Sequence, residues 1–138
     1  MKLHHIGIAS NDIKRSIRFH EALFNFHPIT EIVDDPTHKV SVVLLSDPRT
    51  NEVPIELVSP SSQESPVSSF LQRGTHLYHV CYTVNDIEYM LKKARKEHSI
   101  VVSGPAPSKL YGGRKIAFIY TPDKYLIEFL EEESPQQM

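Results

Sequence analysis

The chain has little of several features that would direct it to a particular compartment or partner. It contains one cysteine, Cys81, in 138 residues, so an intrachain disulfide is impossible and we expect a cytoplasmic protein. It contains no apolar run near the roughly 20 residues that a membrane span needs, and its first residues lack the pattern of a signal peptide. The formal net charge is -2, so no excess of basic residues points to nucleic acid. We therefore expect neither a membrane nor a nucleic acid as a partner.

An internal repeat organises what is present. Residues 3–13 read Leu-His-His-Ile-Gly-Ile-Ala-Ser-Asn-Asp-Ile, and residues 77–87 read Leu-Tyr-His-Val-Cys-Tyr-Thr-Val-Asn-Asp-Ile. Further along each half, Pro54-Ile55-Glu56-Leu57 is matched by Leu126-Ile127-Glu128-Phe129. Two matched segments in the same order make a chance similarity of short strands a poor explanation.

The first half predicts one helix among four strands. Residues 2–9 are rich in apolar types that alternate, which predicts a strand, and Asn11-Asp12 supplies a helix start. A helix over residues 12–25 is expected to bury the apolar stripe formed by Ile13, Ile17, Leu23 and Phe24. Turn residues separate three further predicted strands, at 29–33, 39–46 and 52–58.

The second half repeats this order. A helix over residues 86–98 is striped by Ile87, Met90, Leu91 and Ala94, and strands are predicted at 77–84, 100–103, 114–121 and 124–131. The polar stretch 60–74 is expected to be a linker with a short helix near 67–72. We thus predict an α+β fold with one βαβββ module at residues 1–59 and a second at 75–138, together forming one domain.

Strand alternation places four polar residues on one side of the predicted sheet. His5 lies opposite Ile6 and Ile8, and Glu56 lies opposite its two apolar neighbours. The same holds for His79 and Glu128 in the second half. Two histidines and two glutamates therefore occupy matched positions on the concave face, away from the helices.

Converging carboxylates are costly to bury unless a proton or cation lies between them. Two imidazoles and two carboxylates form a mixed set of nitrogen and oxygen ligands that suits Zn, Ni, Co, Mn or Fe. We therefore predict one divalent ion held by His5, Glu56, His79 and Glu128. Taken alone, a histidine or glutamate in a strand is usually structural or solvated, so this prediction depends on the repeat. His4 faces the other side and is excluded, and Cys81 is expected to be core filler.

The residues that carry the repeat also resemble a known family. The segment Leu-His-His-Ile-Gly-Ile-Ala with Asn-Asp-Ile, and the stretch from Ile55 to Pro60 followed by Ser65-Pro66-Val67, are similar to methylmalonyl-CoA epimerases of the vicinal-oxygen-chelate (glyoxalase-like) superfamily. The end of the chain, from Gly112-Gly113-Arg114 to Ile127-Glu128-Phe129, is similar to these epimerases and to lactoylglutathione lyases.

The resemblance implies two βαβββ modules that form an incomplete eight-stranded barrel around one divalent metal, with the same four ligands. It also implies that neighbouring substrate oxygens chelate the metal, which acts as a Lewis acid, while a glutamate moves a proton at the adjacent carbon. We expect Glu128 to be this base, with Glu56 as the second choice. The expected activity is that of an isomerase or epimerase acting next to a carbonyl or thioester, on a small substrate such as an acyl-CoA.

Two departures from the epimerase pattern keep alternatives open. Epimerases carry an acidic residue just before the third strand, where this chain has Pro36-Thr37-His38-Lys39-Val40, so that His38 is the one candidate base there. The short turn Thr121-Pro122-Asp123-Lys124-Tyr125 is more similar to the lyases. A glyoxalase I-like lyase is therefore the first alternative. A drug-binding resistance protein without catalysis and an iron-dependent ring-cleaving dioxygenase are weaker ones, because the intact four-ligand set does not favour either.

Five residues beside the predicted metal are expected to contact substrate. They lie in the segments 37–39 and 111–115, and they are His38, Lys39, Tyr111, Arg114 and Lys115. The three cations among them could meet a phosphate or carboxylate, although a solvated rim is an equally good interpretation. The open faces and edges of the predicted sheet favour a homodimer.

Overall fold

The computed structural model describes residues 1–133, which form nine strands and three helices. The chain divides into two compact units: His5–Tyr78, called the first unit, and Met1–His4 with His79 onward, called the second unit. The helices are α1 (Ile13–Phe24), α2 (Pro66–Gln72) and α3 (Ile87–Lys96). The strands are β1 (Lys2–Ala9), β2 (His27–Pro28), β3 (Val33–Asp35), β4 (Val40–Ser46), β5 (Ile55–Pro60), β6 (Leu77–Val84), β7 (Ile100–Pro107), β8 (Lys115–Tyr120) and β9 (Leu126–Glu131).

The two long helices begin with the same capping interaction. The carboxylate of Asp12 accepts a hydrogen bond from the backbone N–H of Arg15, and that of Asp86 accepts one from Tyr89, each at 3.1 Å. An aspartate at this position satisfies one of the backbone donors that the first helical turn leaves unpaired. The helix starts predicted from the repeated Asn-Asp pair are therefore confirmed.

The first unit pairs its strands in the order β2-β4-β5-β1, with β3 also on β4. Strands β1 and β5 are parallel, whereas β4 and β5 are antiparallel. The core between this sheet and α1 consists of Val43, Leu45 and Leu57 with Ile8, Ile13, Ile17, Phe26 and Ile55. The α+β class predicted from the sequence is confirmed.

The apolar stripe predicted for α1 is wrong at its C-terminal end. Leu23 and Phe24 are 62% and 50% exposed, while Phe26 packs into the core. The reason is Asn25, which ends the helix in the left-handed conformation with φ of 57°. The chain therefore reverses after Phe24, and the aromatic residue beyond the turn reaches the core.

The strand predicted at 29–33 does not form as one element. Its place is taken by the short strands β2 and β3, on either side of a bend. Within the bend, Ile29 N–H donates to the carbonyl of Leu44 at 2.8 Å, but Leu44 N–H donates to the hydroxyl of Thr30 at 3.1 Å. Because a side chain replaces the backbone acceptor, the ladder is interrupted at this point.

The second unit pairs its strands in the order β6-β9-β8-β7. Strands β6 and β9 are parallel, and the other two pairs are antiparallel. The core under α3 consists of Val84, Ile87, Leu91, Ala117, Ile119 and Phe129, with Met90 and Ala94 packed against it. All four residues of the stripe predicted for this helix therefore contact the core.

Strand β7 runs further than the predicted 100–103. Its pairing with β8 shifts register twice, once on each side of Ser103. Gly104 follows with φ of +83°, and a Cβ there would collide with the carbonyl oxygen of Ile116. Glycine is therefore required at this position, where the two backbones approach closely.

One helix lies in the segment between the two repeats. The short helix expected near residues 67–72 is present as α2 (Pro66–Gln72), whose first turn is capped by the hydroxyl of Ser65. Among residues 1–133, no helix is both long and apolar enough to cross a membrane.

Candidate metal centre

The first unit brings His5 and Glu56 together. Glu56 on β5 is the register partner of Gly7 on β1, and His5 precedes Gly7 by two residues on the same face. The Nε2 atom of His5 lies 3.6 Å from a carboxylate oxygen of Glu56. Both residues are buried, at 0% and 5% exposure.

The second unit repeats this arrangement with His79 and Glu128. Glu128 on β9 is the register partner of Cys81 on β6, and His79 again precedes that partner by two residues. The Nε2 atom of His79 lies 3.0 Å from a carboxylate oxygen of Glu128, and both residues are almost fully buried. The two His/Glu pairs therefore have the same strand geometry, although their spacing along the sequence differs by two residues.

The geometry of each pair fits two ligands of one divalent ion. Ligands bonded at about 2.0–2.2 Å with bond angles near 90–110° lie about 2.9–3.6 Å apart. The observed separations of 3.0 and 3.6 Å fall within this range. Nε2 is the nitrogen that faces the carboxylate in both histidines. Each residue offers one ligand atom, and the donors are types that Zn, Co, Ni and Mn accept.

The face of the second unit around His79 and Glu128 is mostly apolar. The ring of Phe118 meets the imidazole of His79 edge-on, with 5.4 Å between centroids and 89° between planes. Phe118 is also the register partner of Glu128. Below them, Cys81, Ile116 and Leu130 form a buried cluster against which Tyr111 and Phe118 pack. Cys81 is buried within this cluster, in the packing role expected from the sequence.

His38 forms a polar pair with Asp35. Its Nδ1 lies 2.8 Å from one oxygen of the Asp35 carboxylate, and its backbone N–H donates to the other oxygen at 3.1 Å. The pair closes the turn between β3 and β4 and is about three-quarters buried. Lys39, next in sequence, is exposed and forms an ion pair with Glu64 at 3.0 Å.

The three other residues expected to contact substrate have different surroundings. Tyr111 packs edge-on against the ring of His4, 5.3 Å between centroids. The Nε–H of Arg114 donates to the backbone carbonyl of Glu131 at 2.9 Å, which ties this side chain to the end of β9. Lys115 begins β8 and is exposed.

Two residues that contact these side chains were not identified from the sequence as part of the site. Phe118 was not singled out, although β8 alternates so that Ile116, Phe118 and Tyr120 share one face. Asp35 was not singled out either, although an acid three residues before a histidine, across Pro36, is a pattern typical of a side-chain contact over a turn.

The chain is similar in sequence to a known protein family and to several of its relatives. A family model described as the Glyoxalase/Bleomycin resistance protein/Dioxygenase superfamily matches residues 4–118. The mitochondrial methylmalonyl-CoA epimerase of Dictyostelium discoideum is 26% identical over 121 residues, covering 86% of this chain and 70% of the relative. A lactoylglutathione lyase of Shigella flexneri is 28% identical over 134 residues, covering 96% and 94%.

A likeness in structure supports the fold. The crystal structure of methylmalonyl-CoA epimerase from Mycobacterium tuberculosis superposes with a TM-score of 0.82 at 23% identity, covering 96% of this chain and 89% of the other. At this identity the likeness shows the fold, and the predicted glyoxalase-like architecture is confirmed. Because the family model spans most of the sequence, the chain belongs to the glyoxalase/bleomycin resistance protein/dioxygenase superfamily.

Proposed function

We propose that the protein is a divalent-metal-dependent epimerase that moves a proton next to the carbonyl of a thioester, with an acyl-CoA as substrate. The observation that carries this proposal is the buried His/Glu pair that occurs twice with the same strand register. The relatives named as methylmalonyl-CoA epimerases support the reaction type.

In this proposal His5, Glu56, His79 and Glu128 hold one ion of Zn, Co, Ni or Mn. Each pair alone supplies two ligands, which is fewer than a tightly bound protein metal needs, whereas both pairs together complete a four-donor set. Buried carboxylates also need compensation for lost hydration, and a shared cation provides it for both glutamates. The ion would supply positive charge to the substrate oxygen beside the reacting carbon.

Glu128 is the proposed base. Its register partners are Phe118 on β8 and Cys81 on β6, and its carboxylate lies 3.0 Å from Nε2 of His79. Next to the proposed ion, this carboxylate would lie within reach of the carbon beside the substrate carbonyl, which suits a group that takes up and returns a proton. Glu56 is the second candidate, and its role in the proposal is to hold the ion.

His38, Lys39, Tyr111, Arg114 and Lys115 are proposed to bind the substrate. Lys39 and Lys115 are exposed cations that can meet phosphate or carboxylate groups without losing an internal hydrogen bond, since the partner of Lys39 is the exposed Glu64. Arg114 has to contribute from a side chain that also bonds Glu131, and Tyr111 from a packed ring. His38 is proposed as a contact whose imidazole is oriented by Asp35.

A lyase activity of the glyoxalase I type is the second candidate. The specific observation in its favour is that the lactoylglutathione lyase match spans 96% of this chain, more than the epimerase match. Both reactions remove a proton from a carbon beside a carbonyl, so the same four donors and the same base serve either one.

Deuterium exchange tests the proposal and separates the two candidates. Protein loaded with Zn, Co, Ni or Mn is incubated in heavy water with methylmalonyl-CoA, or with the hemithioacetal of methylglyoxal and glutathione. Deuterium uptake at the α-carbon of the thioester supports the epimerase, and isomerisation of the hemithioacetal supports the lyase. Metal-loaded protein that exchanges neither substrate contradicts a proton-transfer function.

A homodimer is also part of the proposal. Helix α1 leaves Phe19, Leu23 and Phe24 at least half exposed, which is a large amount of apolar surface for a helix of 12 residues. Light scattering is expected to report a dimer, and Leu23→Glu is expected to shift it toward monomer. A wild-type monomer at high micromolar concentration contradicts this part.

A further inference from the structure

We propose that Phe118 sets the size of the apolar substituent that the substrate carries on its reacting carbon. This inference rests on the proposed function, and it applies to the epimerase and the lyase alike. It concerns one face of the second unit, the face that carries His79 and Glu128.

Strand register places Phe118 directly beside the proposed base. Cys81, Glu128 and Phe118 form one row across β6, β9 and β8. Side chains of direct register partners point to the same side of a sheet, roughly 4.5–5.5 Å apart at Cβ. Glu128 is therefore flanked by a thiol on one side and a phenyl ring on the other, both of which present mainly apolar surface.

The position of the Phe118 ring is held by its packing. Its ring meets His79 edge-on, and the side chain also packs against the buried cluster of Cys81, Ile116 and Leu130. A ring held in this way acts as a fixed wall rather than as a side chain that adapts to each ligand. A substituent next to His79 and Glu128 consequently meets a surface of set size.

Beyond Phe118 the same face stays apolar and becomes exposed. Tyr120, two residues along β8, is the register partner of Leu126 and Ile100. Tyr120 is 41% and Ile100 is 63% exposed, whereas Ile116 at the other end of β8 is 6% exposed. A substituent that extends along β8 past Phe118 toward Tyr120 therefore meets exposed apolar surface, whereas in the other direction it meets the buried Ile116.

The chemistry of this face favours a small alkyl group and disfavours a polar one. Burying a methyl or methylene group strengthens binding by about fourfold, the equivalent of about 0.8 kcal/mol, whereas burying an unpaired hydroxyl weakens binding. Beyond Phe118 the row continues to Ser103, the register partner of Phe118 on the side away from Glu128. The ring therefore separates that hydroxyl from the reacting position.

Equilibrium binding of 2-substituted malonates tests the inference without turnover. Malonate, methylmalonate, ethylmalonate and benzylmalonate each present two carboxylates and differ only in the apolar substituent. Protein loaded with one equivalent of Co²⁺ is titrated calorimetrically, and its metal content is checked after desalting. Wild type is expected to bind methylmalonate about fourfold tighter than malonate, and benzylmalonate more weakly than ethylmalonate.

Phe118→Ala is expected to reverse the order of ethylmalonate and benzylmalonate. Benzylmalonate should bind to this variant at least tenfold tighter than it does to wild type. Phe118→Leu keeps apolar bulk, and is expected to shift the series in the same direction by less, which covers the case of an alanine variant that does not fold. Tyr89→Ala, an exposed aromatic on α3, is the matched control and should leave the series unchanged.

A size series that both Phe118 variants leave unchanged overturns the inference while the proposed function stands. Equal shifts in the Tyr89→Ala control overturn it as well, because the effect would then not be local. If wild type loaded with Co²⁺ binds none of the malonates, metal-assisted chelation of substrate oxygens fails, and the inference fails with it.

Discussion

The two units contain the same His/Glu pair but surround it differently. In each unit the glutamate lies beside the residue two positions after the histidine, yet that residue is Gly7 in the first unit and Cys81 in the second. The other neighbour of the glutamate is Leu44 in the first unit and Phe118 in the second. The repeat preserves the histidine and the glutamate, whereas the residues beside the glutamate differ.

This difference supports the two roles proposed for the glutamates, ion binding for Glu56 and proton transfer for Glu128. Equivalent donors on equivalent strands suit the role that they share in the proposal, which is to bind the ion. Unequal neighbours make the two carboxylates chemically different, which is the condition for one to move a proton while the other stays a ligand. The closer His/Glu distance in the second unit, 3.0 Å against 3.6 Å, is a further difference between the halves.

The largest expected effect is the loss of the metal. The double substitution His5→Ala and His79→Ala removes one nitrogen donor from each pair, and metal content is expected to fall from about one ion per chain to near zero. Elemental analysis after reconstitution with Zn or Co measures it, with the exposed His98→Ala as control. A content of two ions that falls to one in each single variant would mean that the pairs bind separate ions.

The next effect concerns catalysis, and it tests whether the two carboxylates differ. Glu128→Gln keeps an oxygen ligand but has almost no basicity, so turnover is expected to fall by about 10²–10⁴-fold with little change in metal affinity. Glu56→Gln should retain most of the activity if it only binds the ion. Steady-state rates and metal titrations are compared for both variants.

The reverse result, with Glu56→Gln inactive and Glu128→Gln active, exchanges the two roles. Full activity in both variants removes both glutamates as bases and makes His38 the leading candidate. In that case Asp35→Asn, which weakens the partner of His38, should alter the pH profile of turnover.

Helix capping offers a smaller effect that is expected to be equal in the two units. Asp12→Ala and Asp86→Ala each remove the same 3.1 Å hydrogen bond at a helix start. Each is expected to lower the free energy of unfolding by about 0.5–2 kcal/mol. Urea denaturation measures the loss, with Asp123→Ala in the exposed β8–β9 turn as control. A loss of unfolding free energy in only one variant would show that the two caps do not stabilise their units equally.

The smallest effect distinguishes the turns between the last two strands of each unit. In the first unit, hydrogen bonds from the side chain and backbone of Arg49 hold the pKa of Asp47 at about 2. In the second, the neutral hydroxyl of Thr121 accepts from Tyr125 N–H instead. Because the folded-state pKa of Asp47 lies below its ordinary value of 3.8, its ion pair stabilises the fold above about pH 4.

That contribution is lost as the pH falls through 3.8 toward 2, when Asp47 becomes protonated. The stability difference between wild type and Asp47→Asn should therefore shrink over this interval, whereas Thr121→Val should differ from wild type by the same amount throughout. Thermal unfolding at several pH values measures both. A constant difference for Asp47→Asn would show that the ion pair does not stabilise the fold.

Local sequence patterns were sufficient where the physical cause is also local. The caps at Asp12 and Asp86 act within one turn of helix, and the alternation around His5 and Glu56 follows from the period of a strand. They failed where the end of a helix and contacts with another strand decide. Leu23 and Phe24 have helical spacing, but the turn at Asn25 brings Phe26 to the core, and the bend after β2 depends on a hydroxyl that meets Leu44.

The sequence by itself determined the α+β class, the repeat and the four candidate donors, because residue type and periodicity carry that information. Only the tertiary structure decided that Nε2 of the histidine lies 3.0–3.6 Å from a carboxylate oxygen of the glutamate within each pair, and that Phe118 lies beside Glu128. The physical reason is strand register. A shift of two residues keeps every side chain on its face and leaves the alternation unchanged, yet it gives each carboxylate a different neighbour.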